Sequence, residues 1–450
     1  MKILFISLGC DKNLVDTERM LGMLLQKGYS VTDDENEADV VVVNTCCFVN
    51  DAKQESINTL LEMAELRKNG RLKALVAAGC LAQRYQKEIR EEIPEVDALV
   101  GTTAIDAVAE AVDMVLAGKG CNYIEDVNRA PVHGGKRVVT TGGHYAYLKI
   151  AEGCDKHCSY CIIPKIRGSY RSIPMESLVS EAETLVAGGV RELILVAQET
   201  TLYGVDLYQK KSLPELLRRL CRISGLYWVR ILYCYPEELT DELIETIRQE
   251  EKICNYLDIP IQHASDSILK RMGRRTDKRA LMDIIARLRQ RIPDICLRTT
   301  LITGFPGETQ EEHEELMQFV NDMEFDRLGV FAYSPEEGTP AALFADQVGE
   351  EVKLARQAEL MELQQEIAFE QAEAMEGAQL LVMVEGRLPD EDSAEGNIYA
   401  ARSYKDAPNV DGFVFIQTER ELMTGDFVWV RITGASEYDL IGEMDDEFAE

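Results

Sequence analysis

Short apolar runs alternate with amphipathic stretches over the first quarter of the chain. The apolar runs have the length of buried parallel strands, which we predict at Lys2–Leu8, Asp39–Asn44, Lys73–Ala78 and Asp97–Val100. Between them apolar residues recur at helical spacing, which predicts helices at Leu14–Lys27, Ala52–Lys68, Ala82–Glu91 and Ala104–Leu116. This alternation predicts a doubly wound parallel sheet in a domain of residues 1–117.

The alternation restarts after a stretch without periodicity. Residues 118–143 contain six glycines, so we predict a linker there. Over residues 144–375, six further strands are predicted with helices between them, at Tyr145–Ile150, Glu192–Val196, Tyr227–Leu232, Tyr256–Ile259, Cys296–Thr300 and Leu328–Ala332. Six βα units predict an open or complete barrel with its active site at the C-terminal ends of the strands.

The last part of the chain changes character. Val348–Met375 predicts one long helix. After it, short strand-like runs separated by Gly and Asp predict a small all-β module over residues 376–445, with strands at Gln379–Glu385, Gly412–Ile416 and Phe427–Gly434. The fold class predicted for the whole chain is therefore α/β with a β appendage.

Charge and the absence of targeting signals narrow the function classes. The 450 residues include 48 basic and 79 acidic side chains, for a net charge of −31. Such a surface suits a cationic partner and matches nucleic acid poorly. No apolar run reaches the ~18 residues of a membrane helix, and Asp11 and Lys12 end the first apolar run too early for a signal peptide. We therefore expect a cytoplasmic protein with reduced thiols, whose cysteines are free to bind metal.

Three cysteines in C-x3-C-x2-C spacing follow the first predicted barrel strand. We call Cys154, Cys158 and Cys161 the triplet cysteines. Three thiolates at this spacing can hold three irons of a 4Fe–4S cube and leave the fourth iron open. S-adenosylmethionine (SAM) is the cofactor known for this spacing, and its reductive cleavage gives an adenosyl radical. The alternative is three cysteines that are merely buried.

Three more cysteines follow the first three strands of the N-terminal domain. We call Cys10, Cys46 and Cys80 the strand-end cysteines. The carboxyl ends of parallel strands share one edge of the sheet, so these residues are predicted to converge on a second cluster. Cys47 is a rival to Cys46, but neighbours in extended chain point in opposite directions, and we favour Cys46. Five cysteines lack paired spacing and are interpreted as packing residues, namely Cys121, Cys221, Cys234, Cys254 and Cys296.

Polar and flexible residues follow several barrel strands and are candidates to contact the cofactor. Tyr160 could stack its ring on an adenine, or it is a packed aromatic. His263 could donate a hydrogen bond to the cofactor or act as a general base, or its role is purely structural. The other candidates are Gln198, Gln262, Gly304 and Gly307, the glycines allowing close backbone approach or simply a tight loop. Lys165, Arg167 and Arg171 form a basic stretch that could bind a carboxylate, with a solvated loop as the default interpretation.

With these motifs together, the chain closely resembles the radical-SAM methylthiotransferases. The resemblance rests on Ser7–Asp16, Tyr147–Cys154 and Cys161–Gly168 and covers nearly the whole chain. It implies a flavodoxin-like N-terminal domain, a (β/α)6-type radical-SAM partial barrel and a C-terminal TRAM module. It also implies that the triplet cysteines bind the SAM cluster and the strand-end cysteines an auxiliary 4Fe–4S cluster. Asp11, Glu199 and Cys47 depart from the residues common in the family, and the last of these leaves the bound cysteine of the pair open.

Two branches of this family differ in substrate. One modifies isopentenyladenosine in tRNA; the other methylthiolates the β-carbon of an aspartate in the twelfth protein of the small ribosomal subunit. The motifs resemble the second branch. Residues 373–450 carry 19 acidic and 5 basic side chains, which suits a basic ribosomal protein and not RNA.

The activity implied needs two clusters, SAM, a reduced electron donor and a sulfur donor. By the resemblance, one SAM methylates a cluster-bound sulfur, and a second yields the radical that takes the β-hydrogen of the aspartate. No catalytic side chain is assigned beyond the cluster ligands. The alternatives are a tRNA methylthiotransferase and, from another class, a non-catalytic iron–sulfur electron carrier. Open three-cysteine sites argue against the carrier, because electron carriers close their clusters with four ligands.

Overall fold

The N-terminal domain is a six-stranded parallel sheet with helices on both faces. A computed structural model of the protein describes residues 1–389 and 397–445. The strand order is β2-β1-β3-β4-β5-β6. All four valines of β3 are fully buried, as expected for a strand covered on both faces. In chain order the elements are β1 (Lys2–Ser7), α1 (Asp11–Gln26), β2 (Ser30–Val31), β3 (Val40–Thr45), α2 (Asn50–Lys68), β4 (Ala74–Ala78), α3 (Gly79–Arg84), α4 (Gln86–Glu92), β5 (Ala98–Val100), α5 (Val108–Leu116) and β6 (Cys121–Tyr123).

Two local differences from the prediction affect this domain. β6 lies inside the segment predicted as a linker and pairs with β5, so the sheet extends beyond residue 117. The single helix predicted at Ala82–Glu91 is two helices, separated at Tyr85, whose ψ of 37° is not helical. The first of them begins at Gly79, which places Cys80 in its first turn.

The middle of the chain forms an open, six-stranded parallel barrel. Its strand order is β14-β13-β12-β11-β10-β7, and in the described part of the chain β7 and β14 do not pair. The main apolar core lies between these strands and the surrounding helices. The elements are β7 (Tyr145–Lys149), β8 (Ala151–Glu152), α6 (Ile163–Ile166), β9 (Arg171–Ser172), α7 (Met175–Ala187), β10 (Glu192–Val196), α8 (Val205–Tyr208), α9 (Leu213–Cys221), β11 (Trp228–Ile231), α10 (Asp241–Gln249), β12 (Ile253–Asp258), α11 (Asp266–Arg271), α12 (Lys278–Arg291), β13 (Cys296–Thr303), α13 (Gln310–Met323), β14 (Arg327–Ala332) and α14 (Glu350–Glu373).

The C-terminal module is a small closed barrel of five strands in the order β15-β16-β17-β19-β18. Three of these strands were predicted; β16 and β19 were not. The predicted module and its acidic count include residues 390–396 and 446–450, which lie outside the described residues. The strands are β15 (Gln379–Arg387), β16 (Asn397–Ser403), β17 (Val414–Thr418), β18 (Phe427–Ser436) and β19 (Asp439–Met444).

This small barrel packs against the N-terminal ends of the large barrel's strands. Met383 and Ala407 join an apolar cluster with Trp228 and Cys296, the first residues of β11 and β13. A buried ion-pair network surrounds this contact. Glu192 accepts from Arg230 at 2.8 Å and from Arg402 at 2.8 Å, and Arg402 also donates to Glu385 at 2.6 Å.

At the same interface, acidic side chains of the small barrel pair with arginines of the large barrel. Asp406 accepts from Arg327 at 2.7 Å, and Asp411 lies 3.6 Å from the Arg298 guanidinium. Part of the negative charge of the module is therefore neutralised by arginines of the large barrel and is not available to bind a partner.

We expect the substitution Glu192→Gln to destabilise the fold strongly. It leaves two buried guanidinium groups with a neutral partner, and breaking a buried pair in this way costs about 3–5 kcal/mol. The measurement is the urea midpoint followed by tryptophan fluorescence, since Trp228 lies at this interface. The control is Glu176→Gln, which breaks only the exposed pair with Arg219 and is expected to change nothing measurable. Equal urea midpoints for the two variants would contradict the conclusion that the buried ion-pair network stabilises the fold.

Candidate active site at the mouth of the barrel

The triplet cysteines lie in the loop that follows β7 and β8, at the C-terminal end of the barrel. The Cys154 amide donates to the Gly168 carbonyl at 3.1 Å, which ties this loop to the segment after α6. Cys154 and Cys158 are buried, and Cys161 is half-buried. Burial, with a smaller contribution from the nearby Cys158, raises the pKa of Cys154 and of Cys161 to about 12. Such thiols stay protonated at neutral pH unless a metal displaces the proton.

The donor set at this loop fits an iron–sulfur cluster. Three soft sulfur donors lie close enough to influence one another's ionisation. The Lys156 amide faces the Cys154 sulfur at 3.4 Å, an N–H contact of the kind that cluster ligands receive. Among the described residues, no three Cys, His, Asp or Glu side chains converge tightly enough for a single ion. In a 4Fe–4S cluster each thiolate binds a different iron, so its sulfur ligands lie farther apart than the ligands of a single ion.

The strand-end cysteines also converge, and glycines make this possible. Gly9 and Gly79 precede Cys10 and Cys80 and have φ of +85° and +87°, a region that favours glycine. A Cβ on Gly9 would lie 2.7 Å from the Cys46 sulfur, and one on Gly79 would lie 2.6 Å from the Thr45 carbonyl oxygen. Larger residues there would push the cysteine loops apart.

Two asparagines hold the cysteine loops against each other. The Asn13 side chain donates to the Leu8 carbonyl at 2.7 Å, and the Asn44 side chain donates to the Asn13 carbonyl at 2.8 Å. The loops that carry Cys10 and Cys46 are therefore bonded to one another through the N-terminal turn of α1.

The structure places Cys47 near the same site. Cys47 is fully buried in an apolar cluster that also contains Leu60 and Leu81. Burial raises the pKa of Cys47 to about 11, against the opposing effect of Arg84. Burial likewise raises the pKa of Cys80, and Cys47 adds to that shift more than Cys46 does. Cys46, in contrast, is the member of the pair that adjoins Gly9 and interacts with Cys10.

Residues beside Cys10 bring this edge of the sheet to the barrel mouth. Asp11 accepts from the Tyr233 hydroxyl at 3.3 Å. The Lys12 ammonium lies 3.3 Å from the centroid of the Tyr233 ring. Tyr233 lies two residues after the end of β11 and has φ of +60°. The N-terminal domain therefore covers the C-terminal ends of the barrel strands, where the triplet cysteines lie.

Sequence reasoning missed a buried polar network between the two cysteine sets. Arg167, interpreted above as part of a solvated loop by default, is 2% exposed. Its guanidinium donates to Asp16 at 2.8 Å and to Glu152 at 3.2 Å. Lys149 also pairs with Asp16, and with Glu152 at 2.8 Å. The position of Arg167 shortly after Cys161 can be read from the sequence, but that position does not indicate that its side chain is buried.

Two of the predicted cofactor residues have partners of their own beside the triplet loop. The Gln198 amide accepts from the Gly153 amide at 2.9 Å and donates to Glu152 at 2.8 Å, so it bonds directly to the residue before Cys154. The Tyr160 ring packs edge-on against Phe305, with centroids 6.5 Å apart.

The remaining predicted residues contact other residues of the protein. His263 Nδ1 accepts from the Ser265 amide at 3.0 Å, which leaves its proton on Nε2, 3.6 Å from Glu308. Gln262, just before it, has φ of +73°. A Cβ on Gly304 would lie 2.3 Å from the Lys353 side chain, and one on Gly307 would lie 2.5 Å from Asp346. The close approach at these glycines is thus to protein side chains.

Buried polar atoms without a protein partner lie beside the triplet loop. Among the described residues these include Glu199 Oε2, Tyr170 Oη and Arg274 Nη1. A cavity of about 140 Å³ is lined by residues that include Lys156, Cys158 and Arg274. Buried polar groups are rarely left without a partner unless a ligand or water supplies one, so the region beside the triplet loop has unused hydrogen-bonding capacity.

We expect the buried carboxyl of Glu199 to make the cluster-free protein less stable at alkaline pH. Burial raises the pKa of Glu199 to about 7, above its value in the unfolded chain. The contribution of Glu199 to the free energy of unfolding is therefore complete below about pH 4.5 and is lost as the pH rises through about 7. Glu199→Gln should stabilise the protein by roughly 3 kcal/mol at pH 8 and little at pH 5. Urea titrations at both pH values measure this, and equal gains at both would contradict it.

Comparisons with known proteins agree with this architecture. Residues 2–101 match the uncharacterized protein family UPF0004, residues 148–320 the radical SAM superfamily and residues 377–444 the TRAM domain. The structure is similar to that of the radical S-adenosylmethionine methyltransferase TsrM from Kitasatospora setae, with a TM-score of 0.55 at 14% identity, over 84% of this chain and 80% of that one. At that identity the likeness concerns the fold alone.

Sequence relatives give the family. The chain is 63% identical to the ribosomal protein uS12 methylthiotransferase RimO of Lachnoclostridium phytofermentans, covering 98% of this chain and 99% of that protein. It is 50% identical to the protein of the same name from a Thermoanaerobacter species, covering 97% and 98%. The predicted flavodoxin-like, partial-barrel and TRAM architecture is confirmed. Within the described residues no helix is long and apolar enough to cross a membrane. The chain belongs to the RimO family of radical-SAM methylthiotransferases.

Proposed function

We propose that this protein adds a methylthio group to the β-carbon of an aspartate in ribosomal protein uS12. The observation that carries the proposal is the meeting of two cysteine sets at one barrel mouth, through the Asp11–Tyr233 contact. Relatives over nearly the full chain bear the name of that activity. We propose domains at residues 1–117, 144–375 and 376–445, joined by the segment 118–143, whose strand β6 adds to the sheet of the first domain.

We assign two 4Fe–4S clusters to the chain. The triplet cysteines would hold one, with an open iron for SAM, and Cys10, Cys46 and Cys80 would hold the second. When bound, the SAM cluster supplies a radical able to remove hydrogen from an unactivated carbon. We also propose SAM contacts at Tyr160, Gln198, Gln262 and His263. Contacts at Gly304 and Gly307 would require the side chains of Lys353 and Asp346, which now lie against these glycines, to move. Gln198 is best supported, because it bonds to Gly153 and Glu152 beside the triplet loop.

The chain's own residues shape the space in which the reaction would occur. Lys156 is buried and pairs with Glu238, so it anchors the triplet loop to the segment after β11. Lys12 and Tyr233 contact each other where the N-terminal domain meets the barrel mouth. Protection from water and oxygen is what a reactive radical requires of such a site. A reduced electron donor and a sulfur donor complete the proposed reaction.

The substrate proposed is a basic protein, with no direct binding of nucleic acid or membrane. Although several acidic side chains of the TRAM barrel are paired internally, Glu419, Glu421, Glu437 and Glu443 are exposed. An acidic outer face favours a basic ribosomal protein and disfavours RNA phosphates. This is the observation against the alternative, a tRNA isopentenyladenosine methylthiotransferase.

Mass spectrometry of competing substrates tests the function. The reconstituted enzyme is incubated with SAM, dithionite and sulfide, together with uS12 and isopentenyladenosine-containing tRNA in one reaction. We expect the methylthio mass increase on an aspartate of uS12 and none on tRNA. Modification of tRNA alone would establish the alternative. Formation of neither product, with no 5′-deoxyadenosine released, would favour the electron carrier.

Binding of uS12 should weaken steeply with salt. Screening shortens the reach of charge from about 10 Å at 0.1 M salt to about 3 Å at 1 M. The double substitution Glu419→Lys and Glu421→Lys should weaken binding about tenfold at 0.1 M salt and less at 0.5 M. Glu62→Lys with Glu65→Lys, on exposed positions of α2, changes the same charge elsewhere and is the control. An equal loss in both variants would show that only net charge matters.

A further inference from the structure

Arg167 joins the two cysteine sets through one buried guanidinium. Its Nη2 lies 3.3 Å from the Cys80 sulfur and 3.0 Å from Asn13 Oδ1. Its Nη1 lies 2.8 Å from Asp16 Oδ2 and 3.2 Å from Glu152 Oε2. The partners come from α1, from α3 and from β8, so one side chain binds three separate segments.

The charges around Arg167 explain why it can be buried. Asp16 and Glu152 supply two carboxylates, and Lys149 supplies the second cation. Lys149 and Arg167 each pair with both carboxylates. Two basic side chains therefore face two acidic side chains in one buried cluster. The Arg167 N–H aimed at Cys80 is not needed to neutralise a carboxylate and is available to the sulfur.

A hydrogen bond to a ligand sulfur changes the properties of an iron–sulfur cluster. The donor withdraws electron density from the thiolate and stabilises the more negative, reduced state, so it raises the reduction potential. A guanidinium also adds a fixed positive charge in a region of low dielectric.

The same side chain is connected to the triplet loop. Glu152 Oε1 accepts from Gln198 at 2.8 Å, and Gln198 in turn accepts from the Gly153 amide at 2.9 Å. Gly153 is covalently joined to Cys154. The connection from the Cys80 sulfur to Cys154 therefore runs through three buried or half-buried polar side chains, and it fixes the placement of one cysteine set relative to the other.

We propose that Arg167 is a positioning residue that donates a hydrogen bond to the Cys80 sulfur of the auxiliary cluster and raises the midpoint potential of that cluster. The proposal rests on the second cluster assigned above. It concerns the cluster that is proposed to carry the sulfur, and not the cleavage of SAM.

The first test is the potential of the auxiliary cluster in Arg167→Lys. Lysine keeps the charge, but its single amine is drawn to Asp16 and Glu152 and does not reproduce the planar fork. The protein used also carries Cys154→Ala, Cys158→Ala and Cys161→Ala, so that it binds only the auxiliary cluster. The midpoint potential is measured by electron paramagnetic resonance of samples poised at set potentials. We expect iron content to be retained and the midpoint to become more negative. Arg171→Lys is the matched control, since that guanidinium donates to the Ser169 and Arg167 carbonyls, and its midpoint should not move.

The second test does not depend on the folding of Arg167→Lys. The chain without the triplet cysteines, labelled with 15N-guanidinium arginine and carrying a reduced auxiliary cluster, should show a 15N coupling in its electron spin-echo spectrum. Eight irons in the wild type with an unchanged midpoint in Arg167→Lys, or with no 15N coupling, would overturn the role of Arg167 alone. A wild-type plateau at four irons would overturn the second cluster, and this proposal with it.

Discussion

Anaerobic reconstitution of the full chain is expected to bind about eight irons, four for each cluster. Changing Cys154, Cys158 and Cys161 together to Ala should lower the count to about four and abolish the release of 5′-deoxyadenosine. The reason is the separation of the two sets: the triplet cysteines lie on the barrel loop, and the strand-end cysteines lie on the edge of a different sheet. Iron analysis with Mössbauer spectra of both samples makes the measurement.

The control for this experiment changes cysteines that belong to neither set. Cys221 and Cys254 are buried in the barrel and far in sequence from both cysteine sets, so Cys221→Ala with Cys254→Ala should keep about eight irons. A wild-type plateau at four irons would remove the auxiliary cluster from the proposal. A count of zero in the triple variant would show that the strand-end cysteines cannot assemble a cluster without the first one.

Cys46→Ala is expected to abolish methylthio transfer, whereas Cys47→Ala should largely preserve it. The Cys46 sulfur lies against Gly9, beside Cys10, while Cys47 packs among apolar side chains. Cys46→Ala should still release 5′-deoxyadenosine, because the triplet cysteines are untouched. Cys47→Ala should lower the free energy of unfolding by about 1 kcal/mol, through the loss of a small buried group.

Product analysis and iron content together decide between the two cysteines. The measurement is methylthiolated uS12 by mass spectrometry, with 5′-deoxyadenosine and iron counted in the same samples. Since Cys47 also lies near enough to Cys80 to raise its pKa, the reverse assignment has a definite signature. It is established if Cys47→Ala loses four irons and Cys46→Ala keeps all eight.

The sequence alone determined the architecture because two strong patterns repeat in it. Buried strands alternate with amphipathic helices twice, and parallel strands bring their carboxyl ends to one edge. Cys10, Cys46 and Cys80 each follow a predicted strand, so their convergence was predictable without coordinates. The triplet spacing is local and needs no tertiary information. β16 and β19 were missed. β19 pairs with β18 across Glu437 and Tyr438, which include neither the Gly nor the Asn that typically marks such a turn in a sequence.

Only the tertiary structure decided which charges are buried. Arg167 binds Asn13, Asp16 and Cys80, which lie 154, 151 and 87 residues away, and no local pattern distinguishes it from a solvated arginine. The acidic count of the C-terminal module could not separate Asp406 and Asp411, which pair with the large barrel, from exposed Glu419. Hydrophobic periodicity reports which face of an element is buried, whereas the pairing of a charge depends on what the fold places opposite it.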